Sequence, residues 1–279
     1  MAIAIKQALI TGQQQLQNHS DSARLDSEIL LCQALQCDRS YLYTWPDKSI
    51  TGAQQQHFQA HITKRQQGYP IAYITGQKDF WSLTLTVNES VLIPRPETEL
   101  LVETALSVLQ QKHSNKIADL GTGSGAIACA LASERPNWHI TATDISPSAL
   151  DTAKHNAMRY QLKNITFKKS HWFDQLNNQK FDAIISNPPY IAPNDPHLQQ
   201  HGLPFEPQQA LTSDNNGLAD IIELIKRAKC YLDPGGYLLL EHGHDQASNI
   251  QDLLTSLGYQ QVQSLRDLNG IERVTLAYK

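Results

Sequence analysis

Four consecutive residues, Asn187-Pro188-Pro189-Tyr190, carry the sharpest chemical signal in this chain. They follow the apolar run Phe181-Asp182-Ala183-Ile184-Ile185-Ser186, which reads as a strand. Two successive prolines remove two backbone donors and fix two φ angles, so the strand must end there. Asn187 precedes the first proline and is held to an extended conformation. An amide side chain is thereby fixed at the carboxyl end of a strand, with an aromatic ring just after it. Such an arrangement suits a planar group bearing an NH2, because the Asn187 oxygen accepts and the Tyr190 ring stacks. The plainer alternative is an ordinary Pro-Pro turn with a capping asparagine.

A second signal lies upstream. Lys116-Ile117-Ala118-Asp119-Leu120 reads as a strand that feeds Gly121-Thr122-Gly123-Ser124-Gly125, with a helix following. Glycines allow a tight turn and a close backbone approach to a ligand at a helix N-terminus. Gly121, Gly123 and Ala126 also satisfy the G-x-G-x-x-A spacing, and Asp144 lies at the distance of a ribose-binding acid, so a dinucleotide must be considered. The glycine turn alone does not separate the two cofactors. Asn187-Pro188-Pro189-Tyr190 does: a nicotinamide enzyme has no use for an NH2-holding device, whereas an amino-methyltransferase does.

Asp119 to Gly125, Asp144 and Asn187-Pro188-Pro189-Tyr190 together resemble the S-adenosylmethionine-dependent N-methyltransferases that modify planar nitrogens. Four further strings narrow the resemblance: Pro70-Ile71-Ala72-Tyr73-Ile74-Thr75-Gly76, Ile93-Pro94-Arg95-Pro96-Glu97-Thr98-Glu99, Phe205-Glu206-Pro207 and Leu240-Glu241-His242-Gly243. With them the chain is similar to the peptide chain release factor glutamine methyltransferases, from roughly Arg24 to the C-terminus. The resemblance implies transfer of a methyl group from S-adenosyl-L-methionine, leaving S-adenosyl-L-homocysteine. The acceptor would be N5 of the glutamine in the Gly-Gly-Gln motif of class-1 release factors. A ribosomal protein glutamine and the exocyclic NH2 of adenine in nucleic acid are the competing acceptors, since both present the same donor geometry. A non-catalytic adenosylmethionine-binding adaptor is disfavoured by the intact Asn187-Pro188-Pro189-Tyr190.

That ligand implies a role for each site residue. Asp144 accepts from both ribose hydroxyls. Backbone N–H groups of Gly121, Thr122, Gly123, Ser124 and Gly125 meet the methionine carboxylate, and Asp119 neutralises the ammonium, directly or through water. By family resemblance Ser170-His171-Trp172-Phe173 borders the adenine, with Trp172 as its apolar wall. His171 stands where the family commonly has aspartate, which puts an adenine contact from that position in doubt. The segment holding Arg95 and Glu97 lies beside the cofactor. Asn187 Oδ1 and the Pro188 carbonyl take one proton each from the substrate amide, Tyr190 stacks on its plane, and Pro189 completes the substrate-binding set. Asn187 thus touches both cofactor and substrate.

The elements that must hold these residues fall into three stretches. Residues 1–74 read as short helices forming a substrate-docking domain. Ser20-Asp21 are its first candidate caps, before a helix carrying Leu25, Ile29, Leu30 and Leu31; Asp38 and Thr51 are the next two. Residues 75–96 read as a hairpin and linker, with Ile71–Thr75 and Phe80–Val87 pairing across 76–79 and Trp81 as packing. Residues 97–279 form the methyltransferase domain. There, strands at 117–120, 139–143, 164–168, 181–186, 236–241, 259–265 and 271–277 alternate with helices near 124–134, 146–160, 217–231 and 245–257. Alternation of this kind predicts an α/β, doubly wound, mostly parallel seven-stranded sheet. The short link at 267–270 adds one antiparallel strand at its edge, the class I methyltransferase arrangement. Residues 191–215, rich in Pro, Asn and Gln, read as a lid anchored at Phe205-Glu206-Pro207.

Composition sets the remaining bounds. The 279 residues carry a net charge of −4 and no long basic run, which argues against duplex DNA as partner. No run approaches the ~20 apolar residues a membrane span needs, and residues 1–21 lack a signal-peptide apolar region. Cys32, Cys37, Cys129 and Cys230 form no C-x-x-C pair, and Cys129 reads as a buried structural thiol. His242 and His244 lack the carboxylate or thiol company of a metal site, so no metal is expected. These readings describe a cytoplasmic protein, and the resemblance implies a monomeric enzyme whose partner is a release factor.

Overall fold

A computed structural model of the protein describes residues 3–109, 114–200 and 202–279. Met1 and Ala2 of the first 21 residues, and His201 of the 191–215 segment, lie outside the described residues. The chain divides into two compact units, Met1–Gln77 with Gln199–Phe205, and Lys78–Leu198 with Glu206–Lys279. The division falls three residues beyond 74, and the hairpin and linker group with the sheet.

The N-terminal unit is helical: α1 (Ile5–Leu16), α2 (Ala23–Leu35), α3 (Arg39–Thr44), α4 (Gly52–Gln66) and α5 (Ile71–Thr75). None is long enough to be stable alone, so each depends on the shared core of Ile5, Leu16, Leu30, Leu31, Phe58 and Ile62. Asp38 caps α3 by accepting from the Tyr41 N–H, and Thr51 with Gln54 forms a capping box on α4. Ser20-Asp21 do not cap α2. The Ser20 and Ser22 hydroxyls donate instead to Asp26, a buried acid inside the helix that also takes the Arg65 guanidinium.

Residues 71–75 form a helical turn rather than the expected strand. Pro70 accepts from the Tyr73 and Ile74 N–H groups, and left-handed Gly76 ends the turn. Five apolar-rich residues fit either period, and the flanking Pro and Gly decide for helix. The hairpin therefore shifts to β1 (Gln77–Phe80) and β2 (Leu83–Thr86), reversing at Trp81, whose φ is +56°.

The larger unit continues with α6 (Glu99–Val108), β3 (Lys116–Leu120), α7 (Ala126–Glu134), β4 (His139–Asp144), α8 (Pro147–Arg159), β5 (Ile165–Lys169) and β6 (Phe181–Ser186). After the long segment come α9 (Asp214–Gly217), a single turn, then α10 (Ala219–Ala228), β7 (Leu232–Glu241), α11 (Ala247–Ser256), β8 (Gln260–Arg266) and β9 (Glu272–Tyr278). The seven strands β3–β9 order as β5-β4-β3-β6-β7-β9-β8. Only β9 runs antiparallel, and it inserts between β7 and β8. The antiparallel strand is therefore one place in from the edge, and β8 takes the edge itself. Apolar residues on both faces of the sheet, such as Ile117 and Ile185 on one and Ala118 and Ile184 on the other, build two separate core clusters under the helices. The chain winds outward from β3 to β5, then returns to β6 on the other side. The crevice of such a sheet opens at that reversal, beyond the carboxyl ends of β3 and β6.

Candidate active site

Strand register assembles the site. Leu120 of β3 lies opposite Thr143 of β4 and opposite Ser186 of β6. Asp144 and Asn187 each follow those partners by one residue, so both flank Gly121. Ser186 lies in turn opposite Leu240 of β7, which brings Glu241 beside Asn187. A cavity of about 280 Å³ opens there, bordered by Gly121, Thr122, Gly123, Ser124, Asp144, Trp172, Asn187 and Pro189.

The glycine turn is held in shape chiefly by β4. Gly121, Gly123 and Gly125 all have positive φ, and the Gly125 N–H donates to the Thr122 carbonyl. The N–H groups of Gly121 and Thr122 both donate to the Thr143 carbonyl, at 2.9 and 2.8 Å. The Gly123 N–H donates to Asp144 Oδ2 at 2.9 Å. The expectation that the whole turn offers its donors to a ligand carboxylate is thereby corrected. The neighbouring strand takes most of them, and the Ser124 N–H with the α7 N-terminus remains. A Cβ on Gly121 would lie 3.1 Å from the Trp172 ring, so the close approach of turn and indole requires glycine.

Asp144 keeps its carboxylate at the cavity while accepting from Gly123 and from the Ser146 N–H. Burial raises its pKa. Asp119 is fully buried and does not border the cavity. Its Oδ2 accepts from the Thr122 hydroxyl at 2.6 Å, and burial pushes its pKa up to about 7. Gly125 also turns away, toward Ala153 of α8.

At the other end of the cavity, Asn187 Nδ2 donates to the Thr98 hydroxyl at 3.1 Å, which leaves Oδ1 as a free acceptor. Pro188 is buried and, like Tyr190, does not border the cavity; Pro189 does. The Tyr190 hydroxyl donates to Glu241 Oε1 at 3.2 Å, and the Tyr190 carbonyl accepts from Gln246 Nε2 at 3.0 Å. Gly217, with φ +83°, packs so closely that a Cβ would overlap that carbonyl. Trp172 borders the cavity and donates its indole N–H to Asp220, whose other oxygen accepts from the Ser213 hydroxyl. His171 also borders the cavity, with its ring 3.8 Å from Asp174 and 3.9 Å from Glu223. Glu206 anchors the long segment: its carboxylate takes the Ile93 N–H at 3.0 Å and the Arg95 guanidinium at 2.5 Å. Within the N-terminal unit the Phe205 ring packs on Tyr69. His242 is engaged structurally, with Nδ1 against the Gly243 carbonyl and Nε2 against the Thr275 hydroxyl.

Known proteins resemble this chain. Residues 7–76 match the family model described as the PrmC N-terminal domain, and residues 97–201 match the methyltransferase small domain. A release factor glutamine methyltransferase of Shewanella oneidensis is 47% identical over 272 residues, covering 98% of this chain and 95% of that protein. The chain belongs to the release factor glutamine methyltransferase family. A family member from Coxiella burnetii is 46% identical and covers 99% of both chains. Solved structures agree on the fold. A methyltransferase from Pyrococcus furiosus superposes with a TM-score of 0.53 at 21% identity, covering 70% of this chain and 87% of its own. A 16S rRNA N2 G1207 methyltransferase of T. thermophilus gives 0.54 at 19%, covering 73% and 49%.

Several residues of the site carry little signal on their own. Thr98, Ile145 and Asp220 all border the cavity. Thr98 and Glu241 sit inside strings that resemble the family, yet neither residue type announces a role. Asp220 reads as an ordinary acid in the first turn of a helix. Gln246 reads as a surface residue, although it is only 6% exposed.

Proposed function

We propose that this site transfers a methyl group from S-adenosyl-L-methionine to N5 of the glutamine in the Gly-Gly-Gln motif of class-1 peptide chain release factors. The observation that carries the reading is the Asn187 amide: its NH2 is engaged by Thr98, and its oxygen is left as an acceptor in the same cavity that Asp144 borders. The names of the family members from Shewanella oneidensis and Coxiella burnetii support the same acceptor. The residues fit the cofactor. Asp144 offers carboxylate oxygens to a ribose diol, Trp172 and Ile145 offer apolar surface to an adenine, and Ser124 borders the same cavity at the start of α7. When bound, the cofactor supplies an electrophilic methyl on a sulfonium.

The chain's task is to hold a poor nucleophile in line. A carboxamide nitrogen has a delocalised lone pair. Asn187 Oδ1, accepting one amide proton, fixes the NH2 and favours positive charge building on nitrogen; Pro188, buried and off the cavity, stiffens the turn that holds Asn187 there rather than taking the second proton itself. The Tyr190 ring, tethered by its hydroxyl, backs the Asn-Pro-Pro turn. No strong base is needed, because the amide proton becomes acidic as transfer advances. Reacting atoms held at about 3–3.5 Å supply most of the effect. On this reading the enzyme is a cytoplasmic monomer that acts without nucleic acid, and its helical N-terminal unit docks the release factor. Among the described residues no helix is long and apolar enough to cross a membrane.

The test is labelled S-adenosylmethionine offered in parallel to a release factor, ribosomal protein and DNA. Label in the release factor, lost when its Gly-Gly-Gln glutamine is replaced, supports the reading. Label only in DNA or only in ribosomal protein overturns it.

A further inference from the structure

Trp172 is 8% exposed and borders the cavity, yet its backbone lies at φ +43°. A bulky residue in that left-handed region is an outlier, and such strain persists only where the surroundings over-determine it. Three contacts do so here. The Ser170 hydroxyl donates to the Trp172 carbonyl at 2.9 Å. The bare Cα of Gly121 admits the six-membered ring of the indole so closely that a Cβ there would lie 3.1 Å from it. The indole N–H donates to Asp220 Oδ1 at 3.2 Å.

Asp220 is fixed in turn by Ser213. Its Oδ2 accepts from the Ser213 hydroxyl at 2.5 Å, and its own N–H donates back to that hydroxyl oxygen at 3.0 Å. Ser213 is buried, and its N–H donates to the Ile191 carbonyl at 2.9 Å. An acid in the first turn of α10 would serve the helix dipole wherever its oxygens pointed. The reciprocal pair with Ser213 holds them where one meets the indole. That contact decides what packing leaves open. The χ2 torsion of an aromatic ring is broad and roughly two-fold, so a ring can fill much the same space turned over. An indole has a single donor, and turning the ring over would carry that N–H away from Asp220 into a nearly buried place.

We propose that Asp220 is a positioning residue for the cofactor: by taking the indole N–H it holds the Trp172 ring in the orientation that walls the cavity before any cofactor arrives. The role rests on the reading that this cavity takes S-adenosylmethionine, whose adenine needs a flat apolar surface. A wall already in place spares the cofactor the ordering of a side chain, so it binds more tightly. Without the acceptor the ring is free to turn, and binding must order it. Affinity should carry the loss rather than the chemical step, because the Asn187 amide is held separately by Thr98.

The experiment compares the full-length protein with Asp220→Ala and Asp220→Asn. Asparagine keeps a carbonyl oxygen for the indole, so it should restore what alanine loses. By calorimetry S-adenosylmethionine should bind about tenfold more weakly to Asp220→Ala, and to Asp220→Asn within about threefold of the parent. The kcat on release factor at saturating cofactor should fall far less than the affinity does in Asp220→Ala. A second readout needs no cofactor. The chain has 4 tryptophans, and in 15N-labelled protein Trp172→Phe identifies which indole N–H signal belongs to Trp172. In Asp220→Ala that signal should move upfield and exchange with water about tenfold faster, as a freed donor does. In Asp220→Asn it should stay near its place. An indole signal that Asp220→Ala leaves unmoved, or an affinity that it leaves intact, overturns the proposal. So does an affinity loss matched by equal losses of kcat and melting temperature, which marks a merely structural role. An affinity loss that Asp220→Asn shares in full also overturns it, because the charge and not the indole's bond would then be at work. Should the parent protein bind no S-adenosylmethionine, the functional reading of the cavity fails, and the indole signal still decides whether Asp220 orients Trp172.

Discussion

Two turns close the neighbouring strands β3 and β6, and they are held in opposite ways. The glycine turn after β3 is supported from nearby: its N–H groups go to Thr143, to Asp144 and to its own Thr122 carbonyl. The Asn-Pro-Pro-Tyr turn after β6 is supported from far along the chain. Thr98 holds the Asn187 amide, Glu241 the Tyr190 hydroxyl, and Gln246 the Tyr190 carbonyl. Prolines fix φ but donate nothing, so this turn must borrow its hydrogen bonds. The difference teaches that a turn built to grip a cofactor can take its support from the adjoining strand, whereas one built to present an amide draws it from several distant segments.

Breaking the second turn should therefore cost most. Asn187→Ala removes the acceptor, a loss of about 1–3 kcal/mol in hydrogen bonding, and misorientation of the substrate adds more. We expect kcat on release factor to fall roughly 100–1000-fold, with S-adenosylmethionine affinity nearly unchanged. A near-normal kcat would refute the role given to Asn187. Gly217→Ala tests the dependence on surroundings while leaving the turn's own residues unsubstituted. Its Cβ would overlap the Tyr190 carbonyl oxygen, and φ +83° is strained for alanine. That variant should lose kcat by on the order of 100-fold while calorimetry still finds cofactor binding. Equal losses in both would mean that the two turns are not independent.

Asp144→Ala addresses the first turn. The charge-assisted bonds to a ribose are worth roughly 1.5–3 kcal/mol, so S-adenosylmethionine should bind about 10–100-fold more weakly. Turnover at saturating cofactor should change far less. Calorimetry with NAD alongside checks the dinucleotide spacing. Tight NAD binding that the same substitution abolishes would reverse the assignment of the cofactor.

The two turns also differ in how legible they were. Strands β3 to β9, the glycine turn and the positions of Asp144 and Asn187 follow from apolar runs punctuated by Gly and Pro, because those signals are local. The insertion of β9 inside the sheet does not follow, since a short link predicts pairing with β8 and says nothing of β7. Nor did residues 71–75 show their helix, since two periods fit five residues. The spent donors of the glycine turn could not be read, because they depend on the register with β4. Glu241, Thr98 and Gln246 lie about 50–90 residues from the turn they support, a separation that no local pattern encodes.

Each turn has a buried carboxylate beneath it, and pH probes both at once. Asp119 and Glu241 are each pushed up to about 7 by burial. In the unfolded chain both titrate near pH 4. Between pH 4 and 7 the folded protein thus holds protons that the unfolded chain has released, so stability falls as pH rises across that window. The decline approaches ~1.4 kcal/mol per pH unit for each group that titrates fully. Asp119→Asn and Glu241→Gln should each flatten the curve of denaturation midpoint against pH. A slope left intact by both would mean that neither carboxylate titrates as its burial implies.

The smallest effect should come from Gly123→Ala. Gly123 has φ +55°, and no other atom lies within 4 Å of where its Cβ would be. The substitution therefore costs only backbone strain, about 1 kcal/mol for alanine in a left-handed conformation. Gly217, also left-handed, differs in having a neighbour's backbone in the way. Because the glycine turn is held by its adjoining strand, Gly123→Ala should melt only a few degrees lower, and the Asp144 contact should survive. Because Gly123 borders the cavity, the added methyl should weaken S-adenosylmethionine binding severalfold and leave kcat at saturation intact. Gly123→Asn, which tolerates this φ better, should recover most of the melting temperature but not the affinity. The opposite pattern, affinity restored with stability still lost, would show that the turn leans on its surroundings as heavily as Asn187-Pro188-Pro189-Tyr190 does, and the contrast between the two turns would fall.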